Sequence, residues 1–224
     1  VGSLVSPALR SRVRGAAEPI ARLFGRVGLT PNALTLIGFG IAVVAALLAA
    51  TQAWLLAGLL VALGAAFDLL DGALARATGR TSRLGAFMDS TFDRLGEAAV
   101  FLGIAWGLGV PNIEGIASGG QELAMAALAA SLMVSYTRAK SESLGFTAGT
   151  GMANIGLAPR EVRLLFVVVG LVLTGLAGGV GTMFFPNEPG SIAMYGSLAL
   201  ITILATLTTI QRIVHVYNQA KKER

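Results

Sequence analysis

Residues 67–93 read FDLLDGALARATGRTSRLGAFMDSTFD, with carboxylates at Asp68, Asp71, Asp89 and Asp93. Asp68 and Asp71 are three apart and Gly72 is four past Asp68, so on a helix all three share one face. Gly85, Asp89 and Asp93 recur every four residues and form a second stripe. Between the stripes, ATGRTSRL supplies the Gly, Ser and Thr of a turn. The segment therefore reads as a helical hairpin. If its helices break near Ala77 and Leu84, a rise of ~1.5 Å per residue puts Asp71 and Asp89 roughly 8–9 Å from the break. Asp68 and Asp93 then lie roughly 13 Å from it. The four carboxylates converge at two matched levels.

Ligation by carboxylate alone suits the hard cations Mg²⁺ or Mn²⁺ and disfavours zinc. Two ions about 3.5–4 Å apart, sharing carboxylates, stabilise both the entering and the leaving oxygen of a phosphoryl displacement. Gly72 and Gly85, lacking a Cβ, let a planar base or a phosphate approach the backbone. Taken singly, each glycine fits close helix packing equally well.

The elements that carry this hairpin are built for lipid. The chain is 54% hydrophobic and 13% charged, with a mean hydropathy of +0.74. That balance excludes a soluble domain. Apolar runs cover Leu34–Ala50, Trp54–Phe67, Ala98–Val110, Leu123–Val134, Leu164–Val180 and Ile192–Ile210. Several fall short of the ~20 residues that cross a hydrocarbon core, but each extends into mixed sequence able to face protein. The expectation is an all-α integral membrane fold of six transmembrane helices. Polar alternation is too sparse for a barrel. Residues 1–30 should form a juxtamembrane amphipathic helix at the interface, with Leu9, Val13, Ile20, Leu23 and Phe24 on the lipid side. Residues 31–217 form the membrane domain and 218–224 a basic tail. No cleavable signal is apparent.

Charge orients the bundle. Basic residues fall between Arg10 and Arg26, at Arg76, Arg80, Arg83 and Arg94, at Arg138, Lys140, Arg160 and Arg163, and at Arg212, Lys221, Lys222 and Arg224. The alternate loops near Thr51–Ala53, Pro111–Gln121 and Pro186–Gly190 hold no Lys or Arg, only Glu114 and Glu188. The positive-inside rule then makes both termini cytoplasmic, in a multi-pass cell-membrane protein whose site opens to the cytoplasm. The net charge of +5 suits anionic headgroups or phosphates. No soluble basic domain exists to hold nucleic acid. With no cysteine, disulfide and thiolate chemistry are absent, and the single His215 reads as interfacial.

Taken together, Asp68, Asp71, Gly72, Ala75, Arg76, Gly85, Asp89 and Asp93 fit D-x-x-D-G-x-x-A-R-x₈-G-x-x-x-D-x-x-x-D. This resembles the signature of the CDP-alcohol phosphatidyltransferases, and the six-span layout resembles that family's architecture over nearly the whole chain. The resemblance implies two divalent cations, Mg²⁺ or Mn²⁺, on Asp68, Asp71, Asp89 and Asp93. Asp93 would also be the general base. A CDP-linked lipid would lie against Asn32, Thr35, Gly72, Ala75, Arg76, Ser82 and Gly85. An acceptor alcohol would displace CMP. The TPN stretch at 30–32 also reads as an ordinary helix start. A homodimer is the assembly the family implies. Small residues such as Gly103, Gly107, Ala126, Ala127, Ala129 and Ala130 would serve packing within or between subunits.

The acceptor is sought outside the signature. SYTRAKSESLG at 135–145 and GLAPREVRLL at 156–165 supply Arg138, Lys140, Arg160 and Arg163, suited to a phosphorylated polyol. Orientation by charge alone would also explain these four. The two stretches resemble segments of the branch that uses inositol 1-phosphate, although Val162 stands where a Glu commonly precedes the second arginine. Glycerol 3-phosphate is the competing acceptor. Glu97, one turn past Asp93, reads either as orienting a ligand or as a packed residue with a local partner. The loop 145–156 either covers the acceptor or merely connects helices. Two rivals remain. An intramembrane prenyltransferase should have more spans and two separate Asp motifs. A cation transporter should show internal repeats, whereas this chain shows no convincing repeat and an arginine-rich mouth.

Overall fold

The computed structural model describes residues 19–79, 81–110, 120–146, 155–180 and 189–222. Among these residues all regular structure is helical: α1 (19–26), then α2 (Pro31–Ala50), α3 (Trp54–Ala77), α4 (Arg83–Gly109), α5 (Gln121–Ser143), α6 (Arg160–Leu176) and α7 (Pro189–Lys222). By length and composition, α2, α3 and α7 can each cross a membrane. The expected spans α4, α5 and α6 are interrupted differently. α4 carries Asp89, Asp93, Arg94 and Glu97 ahead of its apolar run, α5 ends in Arg138, Lys140 and Glu142, and α6 has 17 residues. α7 runs on to Lys222, so 218–222, expected as a tail, continue the helix.

Helix ends follow local chemistry. The Thr30 hydroxyl accepts from the Ala33 amide at 3.2 Å, with Pro31 in the first turn, so TPN is a helix start. Ser82 caps α4 in the same way, its hydroxyl accepting from the Gly85 amide at 2.9 Å. α3 stops at Ala77 and α4 begins at Arg83, so the acidic hairpin breaks within a residue of the expected points.

Leu9 and Val13 lie outside the described residues. Ile20 and Leu23 are exposed. Phe24 differs from expectation. It turns inward onto Phe67, with ring centroids 6.1 Å apart, and joins a cluster with Ala21, Leu34, Leu70, Ala73 and Leu74. α1 is thereby pinned beside the acidic hairpin.

The long helices close a ring in the order α2, α3, α6, α7, α5, α4, each packing on its neighbours. Its core holds Phe101, Ile104, Leu108, Leu171, Leu198 and Ile201. Small residues set the spacing. A Cβ on Gly103 would lie 2.2 Å from the Ala46 carbonyl oxygen, and one on Gly107 would lie 2.2 Å from that of Ala49. These two glycines therefore serve α2–α4 contact within the chain. The outer faces expose Leu47, Leu56, Leu59, Leu102, Trp106, Leu176 and Ile203, a girdle suited to lipid and unsuited to water.

Candidate active site

A cavity of about 1320 Å³ opens inside the ring at the end holding the α3–α4 turn. Asp68, Asp71, Asp89 and Asp93 all line it, from α3 and α4. So do Asn32, Thr35, Gly72, Ala75, Arg76, Ser82 and Gly85. Arg138, Arg160 and Arg212 face them from α5, α6 and α7. Helices distant in sequence thus bring four aspartates and a set of arginines to one cavity, with Arg76 and Arg94 on the aspartates' own helices and Glu142 and Glu161 on the others.

Asp71 is 4% exposed, and the Thr35 hydroxyl donates to its Oδ2 at 2.6 Å. Thr35, expected near the nucleotide, thus orients a carboxylate. Asp68 Oδ2 accepts from Arg160 Nη2 at 2.6 Å, and Asp93 Oδ2 lies 3.0 Å from Arg160 Nη1 and 3.1 Å from Arg94 Nη1. Asp89 is partly buried on the same wall. The two glycines meet side chains here, not helix backbones. A Cβ on Gly85 would come within 3.1 Å of Ser82 Oγ and 3.3 Å of Asn32 Oδ1, and one on Gly72 within 3.3 Å of Arg76 Nη1.

Among the described residues, no three acidic or histidine side chains converge tightly enough to hold an ion as they stand. A cation is nevertheless in their midst, because the Arg160 guanidinium bridges Asp68 and Asp93. Four carboxylates, with neither His nor Cys among the lining residues, form an all-oxygen donor set. That chemistry fits a hard divalent cation.

On the basic side, Arg138 reaches the cavity while paired with Glu142 at 2.9 Å. Lys140 is exposed and does not line it. Arg163, expected with the acceptor ligands, lines the cavity as well and is anchored from behind. It is 1% exposed, its Nε and Nη2 bind Glu97 at 2.8 and 2.9 Å, and its Nη1 donates to the Ala158 carbonyl at 3.0 Å. Glu97 is therefore a packed residue, but its partner is distant in sequence.

Sequence reasoning assigned no role in the site to Arg212. It is 3% exposed on α7, its Nε donates to the Ile155 carbonyl at 3.0 Å, and its Nη1 donates to that of Val134. A lone arginine amid TLTTIQRIVHV was the available signal, since charge inside an apolar helix marks function. Thr208, one turn earlier, accepts from the Leu157 and Ala158 amides at 3.0 Å each. Gly156 makes that contact possible: its φ is +118°, and a Cβ there would sit 2.1 Å from Thr208 Cγ2. Residues 155–159 are thereby strapped to α7 and deliver Arg160 to the carboxylates. Residues 147–154, most of the 145–156 loop, lie outside the described residues.

Comparison with known proteins identifies the family. The sequence pattern of the CDP-alcohol phosphatidyltransferase family matches residues 28–211. An archaetidylinositol phosphate synthase of Pyrococcus horikoshii is 36% identical over 205 residues, covering 92% of this chain and 93% of the relative. A phosphatidylinositol phosphate synthase of Cutibacterium acnes is 40% identical over 200 residues, 89% of this chain and 91% of the relative. The crystal structure of the Mycobacterium tuberculosis phosphatidylinositol phosphate synthase with CDP-DAG bound superimposes with a TM-score of 0.73 at 31% identity, covering 90% of this chain and 93% of that one. The same enzyme in complex with manganese and citrate gives a TM-score of 0.72 at 31% identity, covering 90% of this chain and 88% of that one.

Proposed function

The chain belongs to the CDP-alcohol phosphatidyltransferase family, and from that premise we propose that it makes an inositol-phosphate lipid. It transfers a phosphatidyl group, or its ether-lipid equivalent, from a CDP-linked lipid to inositol 1-phosphate and releases CMP. The observation that carries this reading is one cavity lined by four aspartates and by Arg138, Arg160, Arg163 and Arg212. The carboxylates suit a cation-bound pyrophosphate. The arginines suit the phosphate of a phosphorylated polyol, because guanidinium forks match phosphate oxygens.

Asp68, Asp71, Asp89 and Asp93 would hold two divalent ions, Mg²⁺ or Mn²⁺. When bound, such ions neutralise pyrophosphate charge and polarise the phosphorus under attack. The chain's own groups do the rest. Thr35 fixes the Asp71 carboxylate through its 2.6 Å hydrogen bond. Gly72 and Gly85 leave room for the nucleotide beside Asn32, Ala75, Arg76 and Ser82. The arginines hold the acceptor phosphate and so aim its hydroxyl. Asp93 takes the hydroxyl proton as the new P–O bond forms. The bond from that phosphorus to the pyrophosphate bridging oxygen breaks, and CMP leaves with the electron pair.

The same reading extends to topology. Six spans with both termini cytoplasmic put the cavity mouth at the cytoplasmic face of the cell membrane, within reach of water-soluble acceptors. The segregation of all 17 Lys and Arg residues supports it. A homodimer is the assembly proposed.

The test is an acceptor panel. Protein purified in detergent receives CDP-diacylglycerol, Mn²⁺ or Mg²⁺, and either inositol 1-phosphate or glycerol 3-phosphate. CMP release with inositol 1-phosphate, abolished by chelator, is expected. Release with glycerol 3-phosphate alone would refute the acceptor and leave the reaction class standing.

A further inference from the structure

We propose that Arg160 is a resident counter-cation of this site, one that divalent ions must displace from Asp68 and Asp93 in order to load. The inference rests on the metal reading above and adds a competitor for the same carboxylates. Arg160 Nη2 lies 2.6 Å from Asp68 Oδ2, and Nη1 lies 3.0 Å from Asp93 Oδ2. One guanidinium therefore joins a carboxylate of α3 to one of α4, where a shared ion would otherwise do so. Carboxylates crowded in a low-dielectric bundle repel one another and are costly without compensation. A built-in cation removes part of that cost while no ion is bound.

Two further observations mark the contact as releasable. Arg160 Nε is buried and has no hydrogen-bond partner among the described residues, so this pose leaves one strong donor unsatisfied. A residue serving only as a fixed strut would be better placed. In addition, α6 does not depend on Arg160 for its position. One turn deeper, Arg163 and Glu97 already tie α6 to α4, with Nε–Oε1 at 2.8 Å. Thr208 anchors the Leu157 and Ala158 amides just before Arg160. The Arg160 side chain can leave Asp68 and Asp93 while the helix stays in place. The cavity it would swing into is the one its own side chain lines.

The consequence is quantitative. A protein that accepts ions only with Arg160 undocked shows an apparent dissociation constant equal to the intrinsic one divided by the undocked fraction. If Arg160 is docked about nine-tenths of the time, apparent affinity is weakened about tenfold. Lysine at this position separates docking from simple charge. It keeps the positive charge but presents a single point where the arginine fork reaches two carboxylates at once.

The experiment measures Mn²⁺ binding by calorimetry on the full chain in detergent, stripped with chelator and free of lipid substrate. Arg160→Lys and Arg160→Gln are compared with wild type. Arg94→Gln serves as the control, because Arg94 also lies 3.1 Å from Asp93 but is not paired with Asp68. We expect Arg160→Lys and Arg160→Gln to tighten Mn²⁺ about tenfold and Arg94→Gln to change it by less than about threefold. Melting curves give a second readout. Arg160→Gln should melt below wild type in chelator and recover in Mn²⁺. Arg160→Lys that binds Mn²⁺ as wild type does, or more weakly, overturns the proposal and leaves the metal reading intact. Wild-type protein that takes up no Mn²⁺ overturns both.

Discussion

Glu97→Gln should destabilise the protein far more than a near-isosteric change normally does. The Glu97 and Arg163 side chains are 3% and 1% exposed, joined through Nε–Oε1 at 2.8 Å and Nη2–Oε2 at 2.9 Å. Arg163 Nη1 is further committed to the Ala158 carbonyl at 3.0 Å. Glutamine keeps the shape but leaves a buried guanidinium without a counter-charge. Breaking a buried pair from one side costs about 3–5 kcal/mol. In a chain of this size each kcal/mol shifts the midpoint by about 2–4 °C, so the melting temperature should fall by roughly 6–20 °C. The double variant Glu97→Met, Arg163→Met removes both charges together. Apolar replacement of a whole buried pair is often neutral or stabilising, so the melting temperature should return to within about 3 °C of wild type. The assay is thermal denaturation in detergent, followed by the acceptor KM of each variant that stays folded. A wild-type melting temperature for Glu97→Gln would refute the argument from burial. A double variant that regains stability but not its acceptor KM would place Arg163 among the acceptor ligands.

Two further outcomes follow from the geometry. Thr35→Val removes the hydroxyl that donates to Asp71 at 2.6 Å. Loss of such an orienting partner weakens metal affinity or activity about 10–100-fold, which Mn²⁺ titration of CMP release would report, with Thr35→Ser close to wild type. Alanine at two glycines should act in opposite directions. Gly103→Ala drives a Cβ to 2.2 Å from the Ala46 carbonyl oxygen and should cost about 1–3 kcal/mol. Gly40→Ala meets nothing within 4 Å and should add roughly 0.5–1 kcal/mol of helix preference, both read as melting shifts.

The features of this protein that are local in the chain are legible in its sequence. The acidic stripes, the turn between them and the TPN cap each depend on residues within a few positions, where helical spacing and capping chemistry suffice. On the basic side the sequence marks Arg138, Arg160 and Arg163, which do line the cavity, but not the partner of each. Arg160, Arg163 and Arg212 all resemble cytoplasmic orientation charges, because the positive-inside rule explains any arginine near a helix end and assigns none a partner. What separates them is which helix each faces, and the order in which α2, α3, α6, α7, α5 and α4 close the ring decides that. That closure puts Arg160 on Asp68, Arg163 on Glu97 and Arg212 on the Val134 and Ile155 carbonyls. All three arginines line one cavity, yet each has its own anchor: a carboxylate of the acidic hairpin, a buried glutamate, and the carbonyls that hold the strap before Arg160. Their anchoring is a property of packing, so it should respond to changes in helix contact as much as to changes in charge.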